Sequence, residues 1–223
     1  MRISHLATAT AAFVCLLVGD ARALTIFLGS ASAPQLSGST SYDFDDQADD
    51  TFFTSTTVMG GELTITANNG QLWFDDQFAS QFGTTGIALD TNYNTPNDFD
   101  FVFTTAVSAF GFAINALDVD WTMEVYDASD SLLASFTIPN QVALGGFARR
   151  GFAGAWSDVP IQRVHVFAPV GSDRALIDDF QVVPEPSAFA LMLAGLVGLA
   201  LAGTPPERRR RASAPALAPR PTR

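Results

Sequence analysis

Apolar and polar residues alternate with a period of two along much of the chain. Leu63 and Ile65 alternate with threonines, and Phe99, Phe101 and Phe103 alternate with the polar residues at 98, 100 and 104. Because neighbouring side chains of a strand point to opposite faces, this alternation predicts half-buried β-strands. Similar or continuous apolar runs predict further strands at 24–28, 72–74, 107–114, 119–125, 132–138, 163–167 and 176–183.

Turn-forming clusters separate these strands, for example 68–70, 127–130 and 145–146. No part of the region 24–183 follows the helical period of 3.6. Eight or nine short strands over about 160 residues are typical of a sandwich. The sequence therefore predicts an all-β, two-sheet antiparallel sandwich that resembles a jelly roll.

The N-terminus has the pattern of a secretory signal peptide. Arg2 precedes an apolar run at 6–18, and the small-residue site Ala21-Arg22-Ala23 follows. We expect a signal helix over residues 1–23, with cleavage after Ala23. The alternatives are a buried helix or a retained anchor.

A second apolar segment lies near the C-terminus. Seventeen uncharged residues, 187–203, would span about 25 Å as a helix, just short of a hydrocarbon core of about 30 Å. The four arginines at 208–211 would hold the end of the chain in the cytoplasm by the positive-inside rule. We expect a single transmembrane helix here; a buried core helix is the alternative.

Pro184-Glu185-Pro186, the apolar segment and the arginine cluster together resemble the PEP-CTERM sorting signal of exported proteins in Gram-negative bacteria that make extracellular polysaccharide. The resemblance implies recognition and cleavage by a membrane-embedded exosortase, and then release to the cell surface or matrix. It assigns the recognition motif to Pro184, Glu185 and Pro186, and the stop signal to Arg208, Arg209, Arg210 and Arg211. The segment 184–211 would be this signal, and 212–223 a disordered tail rich in Pro, Ala and Arg that family members usually lack.

Three stretches of the central region resemble strands of the jelly-roll domains common in PEP-CTERM proteins, which are also similar to carbohydrate-binding modules. They are 109–112, 160–164 and 175–180. The resemblance implies a β-sandwich ectodomain over 24–183.

The amino-acid composition of residues 24–183 limits the kinds of partner and site that this region can have. Its 18 Asp and two Glu outweigh four Arg, for a net charge of −16, and the whole chain has no Lys. Such a surface repels nucleic acid and attracts cations. Because the only Cys, Cys15, lies in the leader, disulfides and cysteine-ligated metals are excluded from the mature protein.

Asp178 is the candidate metal ligand. It is separated from Leu176, Phe180 and Val182 by even numbers of residues, so in a regular strand its side chain would point to the same apolar face as theirs. A buried carboxylate needs a partner, and Ca²⁺ is a natural one where basic residues are few. Asp45 and Asp46 are the predicted co-ligands, with Asp43, or Asp49 and Asp50, as alternatives; carbohydrate-binding jelly rolls often hold such a Ca²⁺. A carboxylate that caps backbone amides at a bend or bulge is the other interpretation.

Asp118, Asp120 and Glu124 would share one face of a strand, with the first two about 6.6 Å apart, near the carboxylate spacing of inverting glycosidases. The pattern departs from the Glu-x-Asp-x-x-Glu strand of laminarinase-type enzymes, so a solvated strand face is favoured. Trp73 and Trp156 are candidates for stacking on sugar rings, with core packing as the alternative. His165 is expected to point outward beside Arg163.

The sequence thus predicts a non-enzymatic, structural or glycan-binding protein of the extracellular polysaccharide matrix. It would be anchored transiently in the inner membrane and then sorted to the cell surface. A secreted glycoside hydrolase that uses the carboxylates at 118, 120 and 124 is the alternative. A structural Ca²⁺ is the one cofactor proposed, and exosortase and polysaccharide are the expected partners.

Overall fold

The computed structural model of the chain describes residues 23–29, 31–91, 97–168 and 173–185. Most of the predicted leader, the predicted transmembrane segment, the arginine cluster and the tail lie outside these residues. Helical structure in the described part consists of four 3₁₀ turns, at Pro34–Leu36, Met59–Gly61, Val142–Leu144 and Gly146–Ala148. No described helix has the length and apolar character needed to cross a membrane.

Twelve β-strands run through the described residues, and all of their pairings are antiparallel. The first six are β1 (Leu24–Leu28), β2 (Thr40–Tyr42), β3 (Thr51–Phe53), β4 (Ser55–Val58), β5 (Leu63–Ala67) and β6 (Leu72–Asp75). The others are β7 (Ala88–Asp90), β8 (Asp98–Asn115), β9 (Trp121–Asp127), β10 (Leu132–Ile138), β11 (Phe152–Phe167) and β12 (Leu176–Pro184).

Two long strands, β8 and β11, pass through both layers of the fold. The first part of β8 pairs with β5 and with the second part of β11, where Phe101 lies opposite Val164. The second part of β8 pairs with β12 and with the first part of β11, where Ala113 lies opposite Phe152. The register of β11 is irregular between Trp156 and Ile161, which allows the strand to change layer.

One layer therefore has the order β4-β5-β8-β11-β9-β10. The other has the order β1-β11-β8-β12, and β12 continues to β2 on one part of its length and to β7, β6 and β3 on another. Hydrogen bonds link all twelve strands into one continuous sheet that folds back on itself. This arrangement is an antiparallel, sandwich-like all-β fold.

Aromatic side chains fill the space between the layers. Phe101 of the first layer lies 5.2 Å from Phe112 and 4.9 Å from Phe180 of the second layer, measured between ring centroids. Phe103 contacts Phe110 in the same way at 6.0 Å. All five rings are buried, as the period-two pattern predicts. Burial of each ring contributes on the order of 2–3 kcal/mol to folding.

A smaller apolar cluster covers the outer face of the second layer. The rings of Phe27 and Phe152 stack there at 6.4 Å, directly over glycines of β8 and β11. A Cβ on Gly111 would lie 2.6 Å from Phe152 Cζ, and one on Gly154 would lie 2.2 Å from Phe27 Cε2. The two glycines therefore allow both rings to lie against the sheet.

The all-β antiparallel prediction is confirmed, and the predicted strands at 24–28 and 132–138 match β1 and β10 to the residue. The expectation of short strands throughout is wrong, because 99–103 and 107–114 form one strand of 18 residues. Four strands of three or four residues were not predicted: β2, β3, β4 and β7. They are too short for alternation to identify them.

Candidate functional site

An open cleft lies where the end of β8 meets the beginning of β11 and the end of β1. It has two adjoining lobes of about 390 and 280 Å³. Gly29, Arg150, Gly151 and Phe152 line both lobes, so the two form one continuous depression. Most ligand pockets for small molecules have volumes in the range of several hundred cubic ångströms.

Exposed apolar side chains line the wider lobe, as Leu28 and Leu144 do, or lie on turns between residues that line it. Six large hydrophobic side chains are exposed in the described part of the chain, and four of them belong to β1 or to the two 3₁₀ turns before β11: Leu28, Val142, Leu144 and Phe147. Phe147 is 61% exposed. A contiguous apolar patch rimmed by polar groups marks an interaction site more often than scattered exposed residues do.

A row of aromatic rings begins at Phe147 and passes through Phe82, which directly precedes Gly83 of the narrower lobe. Phe147 contacts Phe82 edge-on at 5.3 Å, and Phe82 contacts Phe78 at 5.8 Å. The guanidinium of Arg174 lies 4.6 Å from the centre of the Phe78 ring at the far end of the row. The cation–π contact stabilises Phe78 at one end of the row, and Phe147 at the other end contacts Phe82 and remains exposed.

Three polar side chains converge on the cleft. The stem of Arg150 packs on Gly83, and no described carboxylate lies within ion-pair distance of its guanidinium. Asn115 is almost fully buried; its Oδ1 accepts a hydrogen bond from Gly151 N at 2.8 Å, while its Nδ2 has no partner among the described residues. Asp179 lies exposed at the bulge of β12, with a φ of 51°. An unpaired cation and an unsatisfied buried amide are both groups that a polar ligand can pair.

The ionisable groups that line the cleft suit binding better than hydrolysis. Arg150 and Asp179 are the only charged residues among those that line the two lobes. Glycoside hydrolysis ordinarily requires two carboxyl groups on either side of the scissile bond. The cleft supplies one carboxylate and several apolar contacts, an arrangement that can hold a ligand with both apolar and hydroxyl-rich surfaces.

The carboxylates at 118, 120 and 124 do not share a strand face, because β9 begins only at Trp121. Buried Asp173 accepts hydrogen bonds from the backbone of Asp118 and from Trp121 Nε1, and so holds the preceding turn outside the sheet. Asp118 pairs with Arg149, Asp120 accepts from Asn140, and Glu124 accepts from Tyr126. The expectation that the three carboxylates share one strand face is therefore wrong.

Asp178 lies in the apolar interior, as its parity predicts, and is completely buried. Its Oδ2 accepts a hydrogen bond from Thr85 N at 2.9 Å, and its Oδ1 accepts one from Asp179 N at 2.7 Å. Burial raises the pKa of Asp178 to about 7, and the nearby charges of Asp179 and Asp45 act in the same direction. These contacts match the interpretation of a carboxylate that caps amides at a bulge.

The two predicted co-ligands of Asp178, Asp45 and Asp46, accept hydrogen bonds from different parts of the chain. Asp45 Oδ1 accepts from Ile87 N at 2.8 Å, so Asp45 and Asp178 both hold the loop at 84–87. Asp46 instead accepts from Tyr42 and Gln47. The structure brings Asp45 near Asp178 and directs Asp46 elsewhere. A Ca²⁺ held by these three residues stays a prediction.

The two candidate tryptophans are half-buried in separate places. The ring of Trp73 stacks at 5.0 Å on Phe52, which is 50% exposed. Trp156 packs against the outer cluster that contains Phe152, one of the residues of the cleft. Sugar stacking by either residue stays a prediction.

Arg163 and His165 point outward, as expected, but their charges are already paired. Asp100 lies 3.0 Å from His165 Nδ1 and 3.1 Å from Arg163 Nη1. Arg163 also pairs with Asp130 and lies 3.8 Å over the ring of Tyr126. The hydrogen bond with Asp100 raises the pKa of His165. This network joins β8, β9 and β11, and its polar groups are satisfied without a ligand.

No family model matches the chain. No curated protein matches it either. Among solved structures, the K2 cleaved adhesin domain of Lys-gingipain has 12% identity and a TM-score of 0.46, over 66% of this chain and 99% of that one. A family 29 carbohydrate-binding module has 12% identity and a TM-score of 0.35, over 72% and 90% of the respective chains. TmCBM61, solved with β-1,4-galactotriose, has 14% identity and a TM-score of 0.31, over 64% and 94%.

We predict that Asp178→Asn changes how stability depends on pH. The pKa of Asp178 rises from about 3.8 in the unfolded chain to about 7 in the fold. Its protonated form therefore contributes stability that is fully present below pH 4 and is lost as the pH rises to about 7. Because asparagine stays neutral, the free energy of unfolding of the variant should increase relative to that of the wild type as the pH rises from about 4 to about 7. Urea unfolding in EDTA at pH 4, 5.5 and 7 measures the difference in the free energy of unfolding; a difference that stays constant with pH would contradict the assignment.

Proposed function

We propose that this chain is a non-catalytic, glycan-binding β-sandwich of the extracellular polysaccharide matrix. The observation that carries the proposal is the cleft around Arg150. It is lined by a cation without a carboxylate partner and by a buried amide without a hydrogen-bond acceptor in the described part of the chain. The exposed ring of Phe147 belongs to the turn that directly precedes Arg150 in the chain.

A sugar ring has two chemically distinct surfaces that match this cleft. Its C–H faces pack on aromatic rings, and Phe147 offers a ring that solvent reaches. Its hydroxyl groups both donate and accept hydrogen bonds, so they can accept from Arg150 and Asn115 and donate to Asp179. Because one cation and one anion line the same lobe, a neutral glycan fits it better than a highly charged polymer.

Removal of the exposed ring or of the cation should weaken glycan binding. We expect Phe147→Ala and Arg150→Ala each to weaken binding about tenfold, equivalent to about 1.4 kcal/mol. Affinity gel electrophoresis against a panel of neutral glucans, galactans and xylans measures this. Phe52→Ala is the matched control, since it removes a similarly exposed ring far along the sheet order, on β3.

Two results would contradict the cleft as the binding site. One is unchanged retardation of Phe147→Ala and Arg150→Ala on a gel that retards the wild type. The other is loss of binding in Phe52→Ala alone, which would place the site at the Phe52–Trp73 pair. Failure of every polymer to retard the wild type would count against glycan binding itself.

We further propose that the chain is exported and sorted through its C-terminal segment. The tripartite pattern of Pro-Glu-Pro, apolar segment and arginine cluster supports this. The last strand, β12, ends at Pro184, and both Pro184 and Glu185 are exposed. A processing enzyme needs an accessible, extended backbone, and prolines favour one.

Mass spectrometry of the protein from the surface fraction tests the sorting. We expect an N-terminus at Leu24 and a C-terminus that lacks residues 208–211. Alanine substitution of Pro184, Glu185 and Pro186 together should leave the chain uncut in the inner membrane. Alanine substitution of Arg220 and Arg223 is the control and should not affect processing. A surface protein that retains its arginine cluster would overturn the proposal.

A further inference from the structure

Three carboxylates meet at the edge of the second layer, and none of them lines the cleft. Asp49 and Asp50 directly precede β3, and Asp75 ends β6. β3 and β6 pair with Thr51 opposite Phe74, so the beginning of one strand lies beside the end of the other. One carboxylate oxygen from each aspartate lies within 4.8 Å of the other two.

Asp75 is the unusual member of this cluster. It is only 6% exposed, whereas Asp49 and Asp50 are exposed. Its Oδ1 accepts a hydrogen bond from Gln77 N at 2.9 Å, but its buried Oδ2 has no partner among the described residues. A buried carboxylate oxygen without a donor costs several kcal/mol unless a cation neutralises it. Burial, followed by the nearby negative charges, raises the pKa of Asp75.

No side chain of the described residues supplies that cation. None of the three aspartates forms an ion pair with an arginine there, and the chain has no lysine. Besides the hydrogen bond from Gln77 N to Asp75, the backbone donates one from Asp76 N to Asp49 Oδ1 at 3.0 Å. The charge of the cluster is therefore left to an ion from solution.

We propose that Asp49, Asp50 and Asp75 form a Ca²⁺ site that fastens β3 to the end of β6. The donors are all carboxylate oxygens, with neither His nor Cys among them, which selects a hard cation. Ca²⁺ binds six to eight oxygen ligands in flexible geometry, so water and backbone carbonyls can complete a coordination shell that begins with three carboxylates. Mg²⁺ requires a stricter octahedron, which exposed side chains before a strand are less able to provide.

The site has a mechanical consequence. β3 stands at the end of the sheet order and pairs with β6 alone. It carries Phe52, whose ring covers Trp73 on the neighbouring strand. A bound ion would thus hold the edge strand and its aromatic pair in register with the rest of the layer.

The test removes metal from the full-length chain with EDTA and then adds Ca²⁺ alone, while Ca²⁺ binding and the Tm are measured. We expect a Kd of about 10⁻⁴ to 10⁻³ M, the range of extracellular sites, and a rise in Tm of a few degrees, about 3 °C, at millimolar Ca²⁺. Asp75→Asn should lose the rise. The double variant Asp49→Asn with Asp50→Asn changes only exposed residues, and it should lose the rise even where Asp75→Asn does not fold.

Matched variants separate this site from the one predicted at Asp178. Asp158→Asn removes an exposed carboxylate elsewhere and should retain the full response to Ca²⁺. Asp178→Asn should also retain it. A wild type whose Tm does not respond to Ca²⁺ would overturn the proposal, and so would a response that survives in the double variant. Loss of the response in Asp178→Asn alone would assign the ion to that aspartate and overturn the proposal as well.

Terbium luminescence gives a second, local readout. Trp73 and Asp75 lie on the same face of β6, about 6.6 Å apart along the strand. Tb³⁺ replaces Ca²⁺ at oxygen sites, and excitation of Trp73 should sensitise its emission. We expect Trp73→Phe to reduce this emission by more than half and added Ca²⁺ to suppress it in the wild type. Emission unaffected by Trp73→Phe would place the ion elsewhere.

Discussion

Two long antiparallel strands, β8 and β11, determine the architecture because each belongs to both layers. A conventional sandwich needs only side-chain packing between its sheets. Here the backbone itself continues from one layer into the other, and the rings of Phe101, Phe112 and Phe180 close the space between. The hydrogen-bond ladder and the aromatic core therefore depend on the same residues. Disruption of the hydrogen-bond ladder should therefore destabilise the aromatic core, and disruption of the core should destabilise the ladder.

The same constraint places the cleft. At the point where β8 ends and β11 begins, the sheet cannot continue, and the chain covers the open end with the turns at 142–148. Asp120 holds Asn140 at the start of this segment, and Gln141 bonds back to the carbonyl of Ile114. A rigid sheet end thus supports a polar and aromatic depression. Loops fixed on a rigid scaffold are the usual location of binding residues.

Acidic composition governs the remaining chemistry. With few arginines and no lysine, many carboxylates accept hydrogen bonds from backbone amides instead, as Asp173 and Asp178 do. The arginines that do occur are mostly engaged, for example Arg163 with two aspartates. The guanidinium of Arg150 has no carboxylate partner, and Asp75 Oδ2 has no hydrogen-bond donor, among the described residues; the two binding proposals rest on these two groups.

The sequence predicts those features that depend on local periodicity. The burial of Asp178 and the outward direction of His165 follow from alternation within one strand, and both are confirmed. The grouping of Asp118 with Asp120 fails because a distant residue, Asp173, fixes the turn before β9. The meeting of Asp50 with Asp75 depends on the pairing of two very short strands, which no pattern in the sequence reveals. The cleft is built from strand ends and turn residues that are distant in sequence, and periodicity does not show that they meet.

Native-state hydrogen exchange of β8 tests the shared-strand account most directly. We predict that the amides of Phe101 and Phe103, in the first layer, and of Phe110 and Phe112, in the second, exchange only through global unfolding and with the same free energy. The exchange free energies of all four amides should also decrease with denaturant concentration at the same slope. Faster exchange of either half through a partial opening would show that the layers unfold separately, and it would contradict the account.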